Sequence, residues 1–247
     1  MLKVSSRHDE RFNNIVVGQP GYDALTESYN RLKDNILYLN VDGNVKVIQF
    51  VSSTPSEGKT ITATNLAVSL VNNGKKVIFI DGDLRAPRAH RTFKAGNDIG
   101  VADYMLNDTP IENIIQHTEY GVDLISRGKK IDNSSAVIAS DKFKKLISAV
   151  RALYDFVIVD CPPVLEISDY IQISTTTDGV ILCVAFGITK RAQVKEAVKL
   201  LKQSNIRILG SVYTFVDSKS VKTKYSYGYG YNHNYDHYQD QAEEKAE

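Results

Sequence analysis

The residues able to do chemistry fall into four groups. The first is Ser53, Thr54, Pro55, Ser56, Glu57, Gly58, Lys59 and Thr60, which follow residues 47–51, read as a short buried strand. A strand feeding a loop that ends in Gly-Lys-Thr and opens a helix is the context a phosphate-binding loop needs. Loop N–H groups and the helix N-terminus attract anions, Lys59 adds a full positive charge, and the Thr60 hydroxyl can ligate Mg²⁺. The usual eight-residue pattern opens with Gly, whereas here Ser53 holds that place and only Gly58-Lys59-Thr60 is intact. The second group is Asp81, Asp83 and Arg85, delivered by the apolar run 77–80. The third is Asp160, which ends the run 156–159 and is suited to hold the water shell of Mg²⁺. One Asp after a strand ordinarily begins a turn. Two of them, each after four apolar residues and accompanied by Gly-Lys-Thr, point to one crevice, because ligands in parallel α/β sheets bind beyond the carboxyl ends of strands. The fourth group is Tyr225, Tyr227, Tyr229, Tyr231, Tyr235 and Tyr238, six of the chain's fourteen tyrosines.

The elements that must position these residues alternate strand and helix. A helix is expected over 23–39, where Leu25, Tyr29, Leu32, Ile36 and Leu39 recur at helical spacing and would face the core. Its other face would carry Glu27, Asn30, Arg31, Lys33 and Asn35, which by themselves read as a solvated face. The loop helix should run over 60–72 with Gly74 at its C-terminal end. Short helices are expected over 101–106 and 111–115, a strand over 122–126, and a helix over 140–153. A strand over 180–185, a helix over 190–203 with Thr189 as N-cap, and a strand over 206–215 follow. Arg85, Arg88, His90, Arg91 and Lys94 form a basic stretch that reads equally as a phosphate or acidic-tail site and as an exposed loop. Parallel strands joined by helices give an open, mostly parallel α/β sheet of about seven strands with helices on both faces, of the P-loop NTPase type.

Composition narrows the class. The 247 residues suit one large domain, and 43% hydrophobic with 24% charged residues is ordinary for a soluble globular protein. A net charge of +1 gives no global field toward nucleic acid or membrane. Neither a membrane-spanning apolar run nor a signal-peptide core is present. Cys161 and Cys183 sit in strand-like contexts and read as reduced and structural. Three regions are expected: an N-terminal arm at 1–22, with Ile15-Val16-Val17 adding a short edge strand or docking on a neighbour, the globular domain at 23–224, and a flexible tyrosine-rich tail at 225–247.

On the segments 53–60, 81–85 and 156–163 the chain resembles the bacterial tyrosine kinases of capsule and exopolysaccharide synthesis, in the stand-alone cytoplasmic form of Gram-positive bacteria. The resemblance runs from about Thr26 to the tail. It implies ATP and Mg²⁺ as cofactors, with ATP on Ser53–Thr60 and the metal at Thr60, Asp81 and Asp160. It implies Lys59, Asp81, Asp83 and Arg85 as catalytic residues, with spacing leaving open which of Asp81 and Asp83 is the base. It implies a ring-like homo-oligomer assembled through the positions Glu27, Asn30, Lys33 and Asn35, where Asn30 and Lys33 replace two arginines of the family's motif. A further departure is Asn133, alone in matching a family Pro-Asn-Pro segment. Another is Thr214-Phe215, which stands where related ATPases place an adenine-contacting Asn-Lys or Asn-Arg pair. The implied partners are a membrane adaptor of the polysaccharide co-polymerase type, which recruits the cytoplasmic kinase to the inner face of the plasma membrane, and a cognate phosphotyrosine phosphatase.

The tail has three readings. It is a low-complexity segment without function, an aromatic single-strand nucleic-acid binder opposed by the acidic stretch that follows, or, as in the family, a cluster of phosphoacceptors. The last pairs with the nucleotide site upstream. The competing whole-chain readings are a switch ATPase of the cell-division and plasmid-partitioning type, and a kinase-like scaffold that binds nucleotide without transferring phosphate. The absence of a lysine early in the loop, at Ser53 to Ser56, counts against the switch ATPase.

Overall fold

Residues Val47–Ser52 form β1, and every one of them is buried. A strand covered on both faces is mostly apolar, its buried Gln49 donating from Nε2 to the Tyr170 carbonyl at 3.0 Å, and the apolar side chains still sort by alternation. Val47 and Val51 enter one hydrophobic cluster and Ile48 and Phe50 the other. The computed structural model describes residues 14–216. β2 (Val77–Asp81), β5 (Phe156–Asp160) and β6 (Gly179–Ala185) are likewise buried along their whole length. β3 (Gln116–His117), β4 (Asp123–Ile125) and β7 (Ile208–Thr214) complete a seven-stranded sheet in the order β3-β4-β2-β5-β1-β6-β7. All pairings are parallel except β3 with β4.

The register brings the chemistry to one edge. Phe50 pairs with Asp160 and Asp81 pairs with Asp160, so both strand-end carboxylates lie beside the end of β1, from which the loop departs. Helices α1 (Asp23–Leu39) and α2 (Lys59–Asn72) pack with one cluster. α6 (Asp141–Leu153) packs with the other through Phe143, Leu146, Ile147 and Val150, spaced for one helical face. The Ser140 hydroxyl accepts the Phe143 N–H at 3.2 Å and caps α6. Short helices α3 (Ala89–Thr92), α4 (Val101–Asn107), α5 (Ser134–Ile138) and α7 (Asp169–Ser174) line the connections, and α8 (Arg191–Gln203) lies between β6 and β7.

Three expectations are corrected. Leu25 and Leu39 are 48% and 39% exposed, because α1 buries Ile36 and packs Tyr29, Leu32 and Leu37 against the core. Thr189 is not the N-cap of α8; Lys190 is, and the Thr189 hydroxyl instead accepts the Ala185 N–H at 3.1 Å. Ile15, Val16 and Val17 form neither an edge strand nor an arm apart from the domain. They are buried, and Ile15 and Val17 join the cluster around α2.

Asn65 on α2 holds that segment. Its Oδ1 accepts the N–H groups of Val16 at 2.8 Å and Val17 at 3.2 Å, while its Nδ2 donates to the carbonyls of Ile61 at 2.9 Å and Asn14 at 3.3 Å. Asn65→Ala leaves two buried donors unpaired, and an unpaired buried donor costs about 1–3 kcal/mol. Urea unfolding should show a lower midpoint at unchanged slope. An unchanged midpoint would mean that residues 15–17 are not anchored through this side chain.

Candidate active site

The phosphate-binding loop is held in shape by its own acid. Glu57 is buried, and its Oε1 accepts from Thr54 N at 2.9 Å and Thr54 Oγ1 at 2.6 Å, with Ser53 N at 3.4 Å from Oε2. The turn on either side of it requires left-handed backbone at Ser56 (φ 61°) and Gly58 (φ 79°). Gly58 is needed for space as well, since a Cβ there would meet Thr214 Cβ and Cγ2 at 3.2 Å. Thr214, at the end of β7, donates from Oγ1 to the Glu57 carbonyl at 2.8 Å. Thr214 thus buttresses the loop from within the fold. The sequence marked this position only as a departure, and neither its role nor the inward turn of Glu57 had a signal there.

Lys59 opens α2 with its side chain buried. Burial alone would depress its pKa; the charges of Asp160 and then Asp83 outweigh it and hold the ammonium above its ordinary value. Thr60 Oγ1 donates to Asp160 Oδ2 at 2.5 Å. Asp81 Oδ2 accepts the N–H groups of Arg88 at 2.9 Å and Ala89 at 3.0 Å. Burial, reinforced by Asp160, drives the Asp81 carboxyl well above the ordinary carboxylate range. Burial also raises Asp160, against the opposing pull of Lys59. Gly82 N donates to the Asp160 carbonyl at 2.8 Å, and a Cβ on Gly82 would lie 2.7 Å from that oxygen, so β2 and β5 can meet this closely only with glycine there.

Ser53 Oγ, Asp81 Oδ1 and Asp160 Oδ1 are buried without a hydrogen-bond partner. Native proteins leave few such groups, and three at the mouth of one loop mark a place that polar ligand atoms complete. No group of three or more His, Cys, Asp or Glu among the described residues could hold a metal ion by itself. That donor set fits Mg²⁺, which is commonly held by one or two carboxylates, water and substrate phosphates. When bound, the ion would neutralise phosphate charge.

Asp83 stands half-buried beyond Asp81, its Oδ1 accepting Ala86 N at 3.1 Å. Arg85, at the end of the A′ segment, as residues 81–85 are called in the family it resembles, reaches Ser135 and Asp169. Its Nη2 donates to Ser135 Oγ at 2.9 Å, its Nε lies 3.6 Å from Asp169 Oδ2, and Ser135 Oγ donates to Asp169 Oδ1 at 2.5 Å. Arg85 is therefore committed to α5 and α7. Asp169 carried no signal in the sequence, where no helix was expected over 169–174. The basic stretch divides in the same way. Lys94 pairs with Glu119 at 3.0 Å, and Arg88 N holds Asp81. His90 is depressed by burial and then by the charges of Arg91 and Arg127.

On α1, Glu27 and Asn35 are exposed, but Asn30 and Lys33 are not on an open face as expected. Asn30 Oδ1 accepts from Ser69 Oγ of α2 at 2.9 Å, and Lys33 lies 3.3 Å from Asp34 with 13% of its side chain exposed. They turn inward because α1 packs on α2. Exposed Arg31 instead pairs with Glu27 at 3.1 Å. The six candidate phosphoacceptors, Tyr225 to Tyr238, lie outside the described residues.

A mostly parallel sheet with Gly58-Lys59-Thr60 and two strand-end aspartates at its carboxyl edge defines a P-loop nucleotide-binding domain. Residues 45–213 match the family model described as an AAA domain. The tyrosine-protein kinase YwqD of Bacillus subtilis (strain 168) is 32% identical over 200 residues, covering 81% of this chain and 84% of that one. The tyrosine-protein kinase Etk of Escherichia coli (strain K12) is 30% identical over 226 residues; the match takes in 90% of this chain and 31% of Etk. Among solved structures, the chimerical protein CapA2B2 superposes with a TM-score of 0.76 at 30% identity, covering 81% of this chain and 88% of that one. The septum site-determining protein MinD of Pyrococcus horikoshii OT3, complexed with Mg-ADP, gives a TM-score of 0.58 at 26% identity, covering 68% of this chain and 70% of that one. The chain belongs to the bacterial tyrosine kinase family and is an enzyme of the protein-tyrosine kinase class.

The raised Asp81 carboxyl makes a prediction of definite sign. Its folded pKa exceeds its unfolded one, so it contributes stability below the ordinary carboxylate range that is lost as pH rises through the folded value. At neutral pH the nucleotide-free fold carries that strain. Asp81→Asn removes it and should raise the thermal midpoint of the nucleotide-free protein at neutral pH, with a smaller gain at acid pH. A lower midpoint at neutral pH would show that ionised Asp81 is a net stabilising group.

Proposed function

We propose that the chain is an ATP-dependent autophosphorylating kinase that transfers the γ-phosphate to tail tyrosines of neighbouring subunits and thereby regulates capsular or exopolysaccharide synthesis and export. The observation carrying this reading is the trio of buried unpartnered atoms, Ser53 Oγ in the loop and Asp81 Oδ1 and Asp160 Oδ1 at the paired ends of β2 and β5, with the cationic Lys59 acting on Asp160. ATP on Ser53–Thr60 would place its phosphates against the loop N–H groups and Lys59. Thr60 would hold Mg²⁺ directly and Asp160 would hold it through water, with Asp81 and Asp83 beside it.

A tyrosine hydroxyl has a pKa near 10 and arrives protonated at neutral pH. Asp81 has a free lone pair at Oδ1 and a basicity raised by burial, which suits it to orient that hydroxyl and accept its proton as the new P–O bond forms. Asp83 assists at the phosphate-borne ion. Lys59 and the loop amides offset charge on the transferred group, and the remainder of the catalysis is positioning. Arg85 serves as a positioning residue, since its tie to Ser135 and Asp169 fixes the segment that carries Asp83.

Each phosphotyrosine adds roughly −1.5 to −2 charge, so a multiply modified tail repels itself and its acidic end. On this reading unmodified tails favour assembly, with exposed Glu27 and Asn35 among the contacts, and modified tails dissociate. An adaptor at the membrane and a phosphotyrosine phosphatase complete the cycle; the chimerical make-up of CapA2B2 supports the first of these.

Intact-protein mass after incubation with ATP and Mg²⁺ tests the proposal, repeated with the cytoplasmic end of a candidate adaptor. Mass gains in steps of one phosphate, mapped to 225–238 and absent in Lys59→Met, are expected. Asp81→Asn should retain nucleotide binding and lose about 10²–10⁴-fold in transfer rate, the range assigned to a general base. Release of free phosphate with no protein modification would favour the switch ATPase, and nucleotide binding with neither product would favour the scaffold.

A further inference from the structure

We propose that the outer face of α8 and the turn before it form a docking surface for an anionic lipid bilayer. The chain as a whole is close to neutral at +1, yet residues 190–207 carry Lys190, Arg191, Lys195, Lys199, Lys202 and Arg207 against the single acid Glu196. Within α8 the cations at 191, 195, 199 and 202 are spaced by four, four and three residues, so they line one face over about 16 Å. All four are exposed, while Ala197 and Leu201 on the opposite face are buried in the core. Glu196 pairs with Lys199 at 3.2 Å and leaves the other cations of the stripe uncompensated on this helix.

A second observation separates a bilayer from other polyanions. The turn leading into α8 exposes Ile188 to 68%, and Phe186 beside it packs edge-to-face on Tyr213, itself 65% exposed, with centroids 5.9 Å apart. A basic stripe alone would suit nucleic acid. A stripe with an aliphatic and two aromatic side chains at one end matches a headgroup region, where cations meet lipid phosphates, apolar groups enter the acyl boundary and tyrosine sits at the interface. No helix among the described residues is long and apolar enough to cross a membrane, so contact of this kind would be peripheral. It does not depend on the transfer chemistry, because neither the stripe nor Ile188 belongs to the nucleotide site.

The test is co-sedimentation of the full chain with vesicles of phosphatidylcholine alone and of phosphatidylcholine mixed with phosphatidylglycerol. Binding to the mixed vesicles only, weakening as salt rises, is the expected result. A cation near an anionic surface is worth a factor of about five, so the triple variant Lys195→Glu, Lys199→Glu, Lys202→Glu should lose at least about a hundredfold in affinity. Ile188→Asp should also weaken binding, while autophosphorylation in solution stays unchanged in both variants. A control reversal on α6, Lys144→Glu with Lys145→Glu, should leave vesicle binding close to the parent. The proposal is overturned by absent binding to the mixed vesicles, by equal binding to both vesicle types, or by equal losses in the α6 control. It is also overturned if the α8 variant loses affinity only for a short DNA duplex.

Discussion

The site depends on a conflict of burial and charge. Lys59, Asp81 and Asp160 are all withdrawn from water, and each carboxylate has one oxygen satisfied and one left without a partner. An ion pair in a dry setting costs desolvation on both sides and is weak evidence of stability. Here burial presses the Asp81 and Asp160 carboxyls upward, and Lys59 pulls the other way at Asp160. The nucleotide-free protein holds an arrangement whose polar demand its own atoms do not meet. On the proposed reading a phosphate-borne cation would meet it, at the carboxyl edge of the sheet rather than in the core.

The fold exists to hold that conflict in place. Continuously buried strands fix β1, β2 and β5 side by side, and the register puts Asp81 level with Asp160. Gly82 permits the close approach of the two strand ends. Glu57 folds the loop around its own carboxylate, and Thr214 ties that loop to the far side of the sheet. Arg85, Ser135 and Asp169 then lock the segment carrying Asp83 to α5 and α7. Asn65, midway along α2, binds Asn14, Val16 and Val17 to that helix. Apart from the local Glu57 contact, each of these joins elements distant in sequence, which suits a site where transfer requires positioning.

Much of this was legible in the residues. The three strand-to-motif junctions identify themselves because buried parallel strands read as largely apolar runs and functional residues follow at their ends. The sheet order and the burial of Lys59 follow from packing in space and have no local signature. Residues 15–17 read as an arm because a three-residue apolar run is too short for a periodicity to show, and its partner lies about fifty positions away at Asn65. Asn30 and Lys33 read as solvent-facing on the strength of polarity, whereas the α1–α2 contact determines their environment. Thr214 was marked only by its difference from relatives, since a side chain that supports a loop through one hydroxyl has no motif. Arg85 was legible as part of a motif but not as a group tied to α5 and α7, because its partners Ser135 and Asp169 come from other elements.

The central claim is that Asp81 and Asp160 hold raised, unsatisfied carboxyls that the nucleotide complex completes. Titration calorimetry of preformed Mg·ATP in buffers of different ionisation enthalpy measures the protons exchanged on binding. Carboxylates must be deprotonated to serve a cation, so the account predicts net proton release that grows as pH is lowered from neutrality and shrinks in Asp81→Asn. Binding heats that are independent of the buffer throughout that range would contradict it, since they would mean that both carboxyls are already ionised in the nucleotide-free protein.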